Sequence, residues 1–553
     1  MDSPTSGRPP GIPSWTAVPG ATSVRPGWGI LPAMTLAITD NDSPAWTRLL
    51  PALLVALVAF AAAWIALLPG LAFWDTGELQ AVAPLMGTAH PTGFPTYVLL
   101  GWLASVVLQP FGEPAFRLNL FSAICAAVAA GVTADLVRKL TGWTILGIVA
   151  GIGLALTPIV WDVATHAEAH SLHLALLALL LWMLVTWDER VAANERGEIT
   201  GRGDRFLVAA TIVFGLAVGN HSLTLLLAIP VGLYVLVVDP GILRRGRLVL
   251  GCVAALALTV TLLYLELPLR AGPFRAALVY GTPNTWDGFR YVVLAEQFQG
   301  SLSDPFGDLP RKFGELVTRT VAQFGILAPL IPIAFVVTAV RRPRYALLTG
   351  SAAVITCFFA ASYVNADINR YYIGPALLAW TWLAILAAVA IEALGSAAGE
   401  PPLEATPGPR TSVIAVVVAI ALLVPTVVAV PARHKAADLS RQHDAQTWVA
   451  RAFKTMLPDA VVVSWWSYST PMWYAQRVMG QRPDITILDD RTRIDENLGG
   501  LTDVIDANLG KRPVYVLRAD PREVKLLADT YDLEYIDGTD ASKLTRVIGR
   551  KNS

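Results

Sequence analysis

Two carboxylates three positions apart, Asp75 and Glu78, stand directly behind the first long apolar run of this chain. An aspartate at the edge of such a run has its basicity tuned by partial desolvation, which suits a general base. The same spacing also fits a capping box, with Asp75 ahead of a helix and Glu78 at its third position. For Glu78 the chemical and structural readings therefore stand side by side. Twelve residues on, Gly87-Thr88-Ala89-His90-Pro91-Thr92-Gly93-Phe94-Pro95 is dense in residues that fix backbone shape. Each Pro removes a donor and Gly93 admits positive φ. So stiff a turn positions His90, either for chemistry or against a backbone carbonyl.

A second group lies further along. His166, Glu168 and His170 alternate, with His173 behind them. Such a set invites a metal, but on a helix i and i+2 point to different sides, and no H-E-x-x-H pattern is present. Glu168 and His170 suit hydrogen bonds to sugar hydroxyls or phosphate better, and no metal site is expected. Asn220-His221 interrupts an apolar stretch, where polar groups are costly and usually functional; a tight helix–helix turn is the plain alternative. Asn284, in Gly281-Thr282-Pro283-Asn284, joins the candidate binding residues. Arg370, followed by Tyr371 and Tyr372, offers a cation for bidentate contact with an anionic group, or else an interfacial anchor.

The elements that must position these residues are written for a membrane. Of 553 residues, 54% are hydrophobic and 15% charged, against roughly 25% charged in soluble domains. Lys plus Arg and Asp plus Glu balance at 42 each, so no net charge attracts nucleic acid. Cys125, Cys252 and Cys357 all lie inside apolar runs and form neither a disulfide framework nor a metal cluster. Residues 1–46, rich in Pro, Gly, Ser and Thr, read as a disordered leader. Apolar runs of spanning length follow at about 49–71, 117–137, 143–160, 171–187, 206–219, 222–238, 248–267, 320–340, 345–363, 371–393 and 411–430. That makes about eleven transmembrane helices within residues 47–431.

The proline-broken stretch 92–110 reads as re-entrant or interfacial, as part of a region around 75–110. With it flat and the amino terminus in the cytoplasm, the basic clusters at Arg138/Lys139, Arg190–Arg205, Arg244–Arg247 and Arg341–Arg344 all fall on the cytoplasmic side, as the positive-inside rule asks. The same topology sends every unusual polar cluster to the opposite face, which describes an active site open to the outside. Residues 432–553 change character: short β runs at 460–465, 485–488, 514–518 and 533–536 alternate with helical stretches, which predicts a small soluble α/β domain with a parallel sheet on the outer side. It lacks a Gly-rich phosphate fingerprint.

Asp75-Thr76-Gly77-Glu78, then His90-Pro91-Thr92-Gly93-Phe94-Pro95, then Arg117-Leu118-Asn119-Leu120-Phe121-Ser122-Ala123 together resemble a family of GT-C-type membrane glycosyltransferases. This family was long catalogued as a domain of unknown function and includes the endoplasmic-reticulum O-mannosyltransferase acting on plexin-type receptors. The likeness continues through Glu168-Ala169-His170, Gly219-Asn220-His221, Arg370-Tyr371-Tyr372 and Met472-Trp473-Tyr474. It implies a GT-C fold and an inverting transfer of a sugar, mannose or another, from a polyprenyl-phosphate donor to a protein Ser/Thr, a glycan or another acceptor. Asp75 would be the base, with Glu78 and His90 orienting it or the acceptor. Arg370 would face the phosphate. No cofactor or divalent cation is implied, and the setting would be the plasma membrane with the site outside. The competing class, a transporter or flippase of lipid-linked sugar, would need midplane charges and inverted repeats, and the chain shows neither.

Overall fold

The computed structural model describes residues 45–302, 304–365, 367–400, 407–518, 520–536 and 544–551. The leader expected over 1–46 lies outside them, except that Ala45 and Trp46 already open the first helix. Each of the eleven apolar runs contains a helix. They fall in Ala45–Trp64, Pro114–Thr141, Thr144–Ala155, Ala169–Glu195, Asp204–Asn220, Ala228–Val238, Gly246–Tyr264, Leu330–Arg341, Pro343–Ser362, Ile373–Ala397 and Pro409–Val428. Length and composition qualify fewer as complete spans. Among the described residues six helices are long and apolar enough to cross a membrane, or seven if Leu309–Leu327 and Leu330–Arg341, bent by 83°, form one broken span. Thr144–Ala155, with 12 residues, falls short: it is only ~18 Å long against a ~30 Å hydrocarbon core. The chain is a multi-pass membrane protein.

Burial separates a centre from a rim. In Pro114–Thr141 and Ala169–Glu195, 72% and 78% of the apolar window is enclosed by protein, whereas in Gly246–Ala271 the share is 11%. The first two are built for helix contacts. Small residues on Pro114–Thr141 (Ala126, Ala130, Gly131, Ala134) let the first helix approach, and a Cβ at Gly131 would sit 2.8 Å from the carbonyl of Ala52. Gly246–Ala271 instead presents Leu250, Val253, Leu258 and Leu262 outward, as a lipid-facing helix does.

The basic clusters do gather at one end. Arg342 Nη2 donates to the Leu140 carbonyl (2.9 Å), Lys139 pairs with Glu189 (3.0 Å), and Arg344 pairs with Asp188 (2.8 Å). Arg202 and Arg245 converge on Asp239 at 3.4 and 3.0 Å. One network thus ties together all four loops that the positive-inside argument placed on one side.

At the other end sits the α/β domain. Its sheet has the order β2-β1-β3-β5-β4, with β1 Val461–Ser464, β2 Thr486–Asp489, β3 Val514–Leu517, β4 Tyr531–Tyr535 and β5 Thr545–Arg550. β1 pairs in parallel with β2 and β3, as the alternation of strands and helices predicts. The expectation of a wholly parallel sheet needs correction, because β5 pairs antiparallel with both β3 and β4. Polar and charged residues interrupt Thr545–Arg550, so it carries no apolar run that would have marked it as a strand. Asp444–Thr455 packs beside this sheet through Ala445, Val449 and Phe453, which share an apolar core with Val462 and Tyr515.

Candidate active site

The polar residues singled out from the sequence meet where the helical bundle faces the α/β domain. Asp75, His90, Glu168, His170, His221, Arg370 and Tyr371 all line one cavity of about 800 Å³. Buried amides fix the backbone beneath it. Asn119, fully buried, donates to the carbonyls of Leu68 (2.9 Å) and Gly70 (3.0 Å) and accepts from Gln80 Nε2 (2.8 Å) and the Ala167 N–H (2.9 Å). Ser122 Oγ, one turn on, accepts from the Glu168 N–H at 3.0 Å. The Arg117–Ala123 motif therefore clamps the segment ahead of Asp75 and the segment carrying Glu168 to one helix. Satisfied networks of this kind in a low-dielectric interior hold geometry firmly.

Asp75 lies in the first turn of Trp74–Leu85, whose N-cap is Phe73 with no side-chain cap bond. The capping-box reading of Asp75 and Glu78 is thereby overturned, since neither carboxylate caps this helix. The Asp75 side chain is half-exposed to the cavity. Its Oδ2 is 3.9 Å from Arg370 Nη1, and its Oδ1 accepts a 3.2 Å hydrogen bond from Trp466 Nε1.

Glu78, one turn deeper, is buried and absent from the lining of this cavity, and it meets His90, which does line it. Its Oε1 accepts from the His90 backbone N–H at 2.7 Å, and its Oε2 meets His90 Nδ1. This double grip is what the stiff His90-Pro91 turn delivers. Burial pushes the Glu78 carboxyl up, against the pull of His90. Burial would lower the His90 ring, but Glu78 and then Asp75 outweigh it and hold the ring up at about 9. His90 thus faces the cavity as an imidazolium at neutral pH.

Glu168 caps the start of Ala169–Glu195. Its Oε2 pairs with Arg370 Nη1 at 2.8 Å and its Oε1 meets His170 Nδ1 at the same distance. Burial alone would raise this carboxyl; Arg370, then His170 and His166, outweigh it and hold it well below the usual carboxylate range. Arg370 also reaches Asp367 at 3.2 Å. The rings of His170, His221 and Tyr371 close the floor, with centroids 5.2–5.6 Å apart. Asn220 stands behind them, fully buried, its Nδ2 tying the Ala169 carbonyl at 2.9 Å; its place is that of a tie between helices. Asn284 is exposed and does not line the cavity, so the structure does not bring it to this site.

The other wall went unseen in the sequence. Trp465, Trp466, Asp489, Asp490 and Arg491, all from the C-terminal domain, line the cavity, with Tyr280 and Phe298 from the loop after Gly246–Ala271. Each C-terminal residue lies within two positions of the carboxyl end of a parallel strand, β1 or β2, and Arg518 after β3 pairs with Asp490 at 2.8 Å and stacks on Trp465. Open parallel sheets bind ligands outside the carboxyl ends of their strands, and that rule could have found these residues. Among the described residues no three His, Cys, Asp or Glu side chains come together to hold a metal ion.

Residues 75–241 match the family model described as the N-terminal domain of the protein O-mannosyl-transferase TMEM260. Two curated relatives carry that name. The Mus musculus protein is 32% identical over 232 residues, 40% of this chain and 31% of the relative. The Dictyostelium discoideum protein is 23% identical over 269 residues, 47% of this chain and 32% of the relative. The chain thus matches about a third of the length of each. Among solved structures, ArnT from Cupriavidus metallidurans bound to undecaprenyl phosphate is 18% identical, with a TM-score of 0.53 over 91% of this chain and 98% of that one. An Archaeoglobus fulgidus oligosaccharyltransferase, in complex with Zn and sulfate, is 14% identical, with a TM-score of 0.52 over 85% and 68%. The fold is the GT-C fold that the sequence motifs implied.

Proposed function

We propose that this chain is a membrane glycosyltransferase that moves a sugar, mannose in the first instance, from a polyprenyl-phosphate donor to a hydroxyl acceptor such as a protein Ser or Thr. The observation that carries the reading is Asp75. It is a half-exposed carboxylate beside Arg370 in a large cavity where helix ends meet the soluble domain, and it opens the segment that matches the O-mannosyl-transferase family. The curated relatives' names support mannose as the sugar, and the undecaprenyl phosphate bound by ArnT supports a polyprenyl-phosphate donor.

The chemistry is a single displacement. The acceptor oxygen attacks the anomeric carbon opposite the phosphate, Asp75 takes the hydroxyl proton, and the bond from that carbon to the phosphate oxygen breaks with the electron pair leaving on the phosphate. The configuration inverts. Arg370 already shares Nη1 between Glu168 and Asp75, so a departing phosphate would replace Asp367, the most exposed of its three carboxylate partners at 61%. The His90 imidazolium adds a second positive group to the same cavity. With Arg370 in the place of a divalent cation, transfer is expected to persist in EDTA. The cavity would open outside the plasma membrane, opposite the basic loops.

The test is transfer of radiolabelled mannose from polyprenyl-phosphate mannose by the purified full-length protein. Asp75→Asn should abolish it, with expression and membrane insertion unchanged. An Asp75→Asn protein that still transfers removes the base assignment, and wild type that moves the lipid-linked sugar across a bilayer without forming a glycosidic bond is a flippase.

A further inference from the structure

Asp75 is held from two directions that the sequence separates widely. Arg370 approaches Oδ2, while Oδ1 accepts from the indole N–H of Trp466, 391 positions away. Trp466 begins Trp466–Trp473 immediately behind β1. Its ring is boxed edge-to-face by Trp473, Tyr280 and His90, with centroids at 5.6, 5.8 and 6.0 Å. An indole caged on three sides points its one donor in one direction. The carboxylate it meets has no such cage. Asp75 is half-exposed, and the terminal torsion of an Asp side chain is broad and roughly two-fold. The approach is built into the backbone as well. A Cβ at Gly77 would stand 2.9 Å from Thr470 Oγ1 and 2.4 Å from the Ala72 carbonyl, so glycine there admits the Trp466–Trp473 helix against Trp74–Leu85.

We propose that Trp466 is the positioning residue for Asp75, so that the C-terminal domain completes the active site of the helical bundle. The inference rests on reading Asp75 as the base. With Oδ1 occupied by the indole, the oxygen that takes the acceptor proton is Oδ2, on the Arg370 side. The other groups whose charge acts together with that of Asp75 are Glu78, His90 and Tyr371, and among the described residues the hydrogen bond to Oδ1 is that from Trp466.

The test uses the full-length protein in nanodiscs, radiolabelled polyprenyl-phosphate mannose and a Ser/Thr-rich peptide. Trp466→Phe keeps an aromatic ring among Trp473, Tyr280 and His90 and removes the donor. It is expected to lower kcat roughly ten- to a hundred-fold, with KM for both substrates within about two-fold, because a misaligned reacting group costs rate and leaves binding intact. Trp466→His, which retains a ring N–H, should recover part of the loss. An unchanged kcat in Trp466→Phe, or a His variant no better than the Phe one, overturns the proposal. A second measurement does not depend on sugar transfer. In protein labelled with ¹⁵N-indole, Trp466 is assigned from the signal missing in Trp466→Phe, and Asp75→Ala should move that signal upfield as the hydrogen bond is lost. A signal that stays in place sinks the proposal even in an active enzyme. If wild type transfers nothing, the functional reading fails and the indole shift still decides the contact.

Discussion

On the proposed mechanism Arg370 and Glu168 would serve both the chemistry and the stability of the site, and a pair of substitutions separates the two. Removing Arg370 leaves Glu168, 3% exposed, as a buried charge without its cation. Breaking such a pair from one side costs about 3 kcal/mol. Arg370→Gln should therefore melt earlier and lose transfer, while Arg370→Gln with Glu168→Gln should regain much of the melting temperature and none of the activity. Differential scanning fluorimetry alongside the transfer assay checks both halves; a double variant no more stable than the single one contradicts the account. The His90–Glu78 pair makes a pH argument. The folded His90 ring titrates at about 9, above its ordinary 6.5, chiefly because Glu78 outweighs burial. A raised histidine stabilises the fold fully below about pH 6.5 and loses that contribution as pH rises through 9. The melting temperature should thus fall across that window, and Glu78→Gln should flatten the fall. Equal slopes in both proteins would show that the pair does not carry it.

The elements show what in the sequence was legible and what was not. Apolar length located the long helices of the bundle, because burial in lipid leaves a continuous signal, but it passed over Trp74–Leu85, which carries Asp75. It misled on the count of complete spans, since Thr144–Ala155 is apolar throughout and still short. The polar motifs Asp75–Glu78, His90-Pro91, Glu168–His170 and Arg370-Tyr371 were found because polar side chains are conspicuous in an apolar chain. Their convergence on one cavity follows from a topology that ends their helices at the same face. Trp465, Trp466 and Asp489–Arg491 carried no local pattern, and only the folding of β1 and β2 against the bundle brings them there. Gly77 also becomes intelligible only in the fold. Adding a methyl at Gly77→Ala would press on the Ala72 carbonyl, which is backbone and has nowhere to go. The expected cost is about 1–3 kcal/mol. Thr470→Ala should fail to rescue it, because trimming that side chain relieves the milder of the two contacts. Full rescue by Thr470→Ala would mean that the helix pair, and not the Ala72 turn, sets the spacing.

On the scale of the whole molecule, the basic loops and the polar cavity sit at opposite ends of one bundle. The loops carrying Arg138/Lys139, Arg202, Arg245 and Arg342–Arg344 are cross-linked by ion pairs and carbonyl contacts at one end, while the cavity and the α/β domain occupy the other. Lys and Arg next to spans resist translocation, which would keep the basic loops cytoplasmic. A lipid-linked donor and an acceptor would then meet on the outer side, where the carboxyl edge of β1 and β2 covers the cavity. The orientation is checked by single cysteines in a background with Cys125, Cys252 and Cys357 replaced. Asn284→Cys lies on an exposed loop at the cavity end, and Thr200→Cys lies on an exposed loop at the basic end. A membrane-impermeant maleimide added to intact cells should label position 284 directly and position 200 only after permeabilisation. The reverse pattern would put Asp75 in the cytosol, and an acceptor hydroxyl would then have to be presented there. Labelling of both positions in intact cells would mean that the two ends do not lie on opposite sides of the membrane, and the division of the molecule into a basic inner end and a catalytic outer end would fall with it.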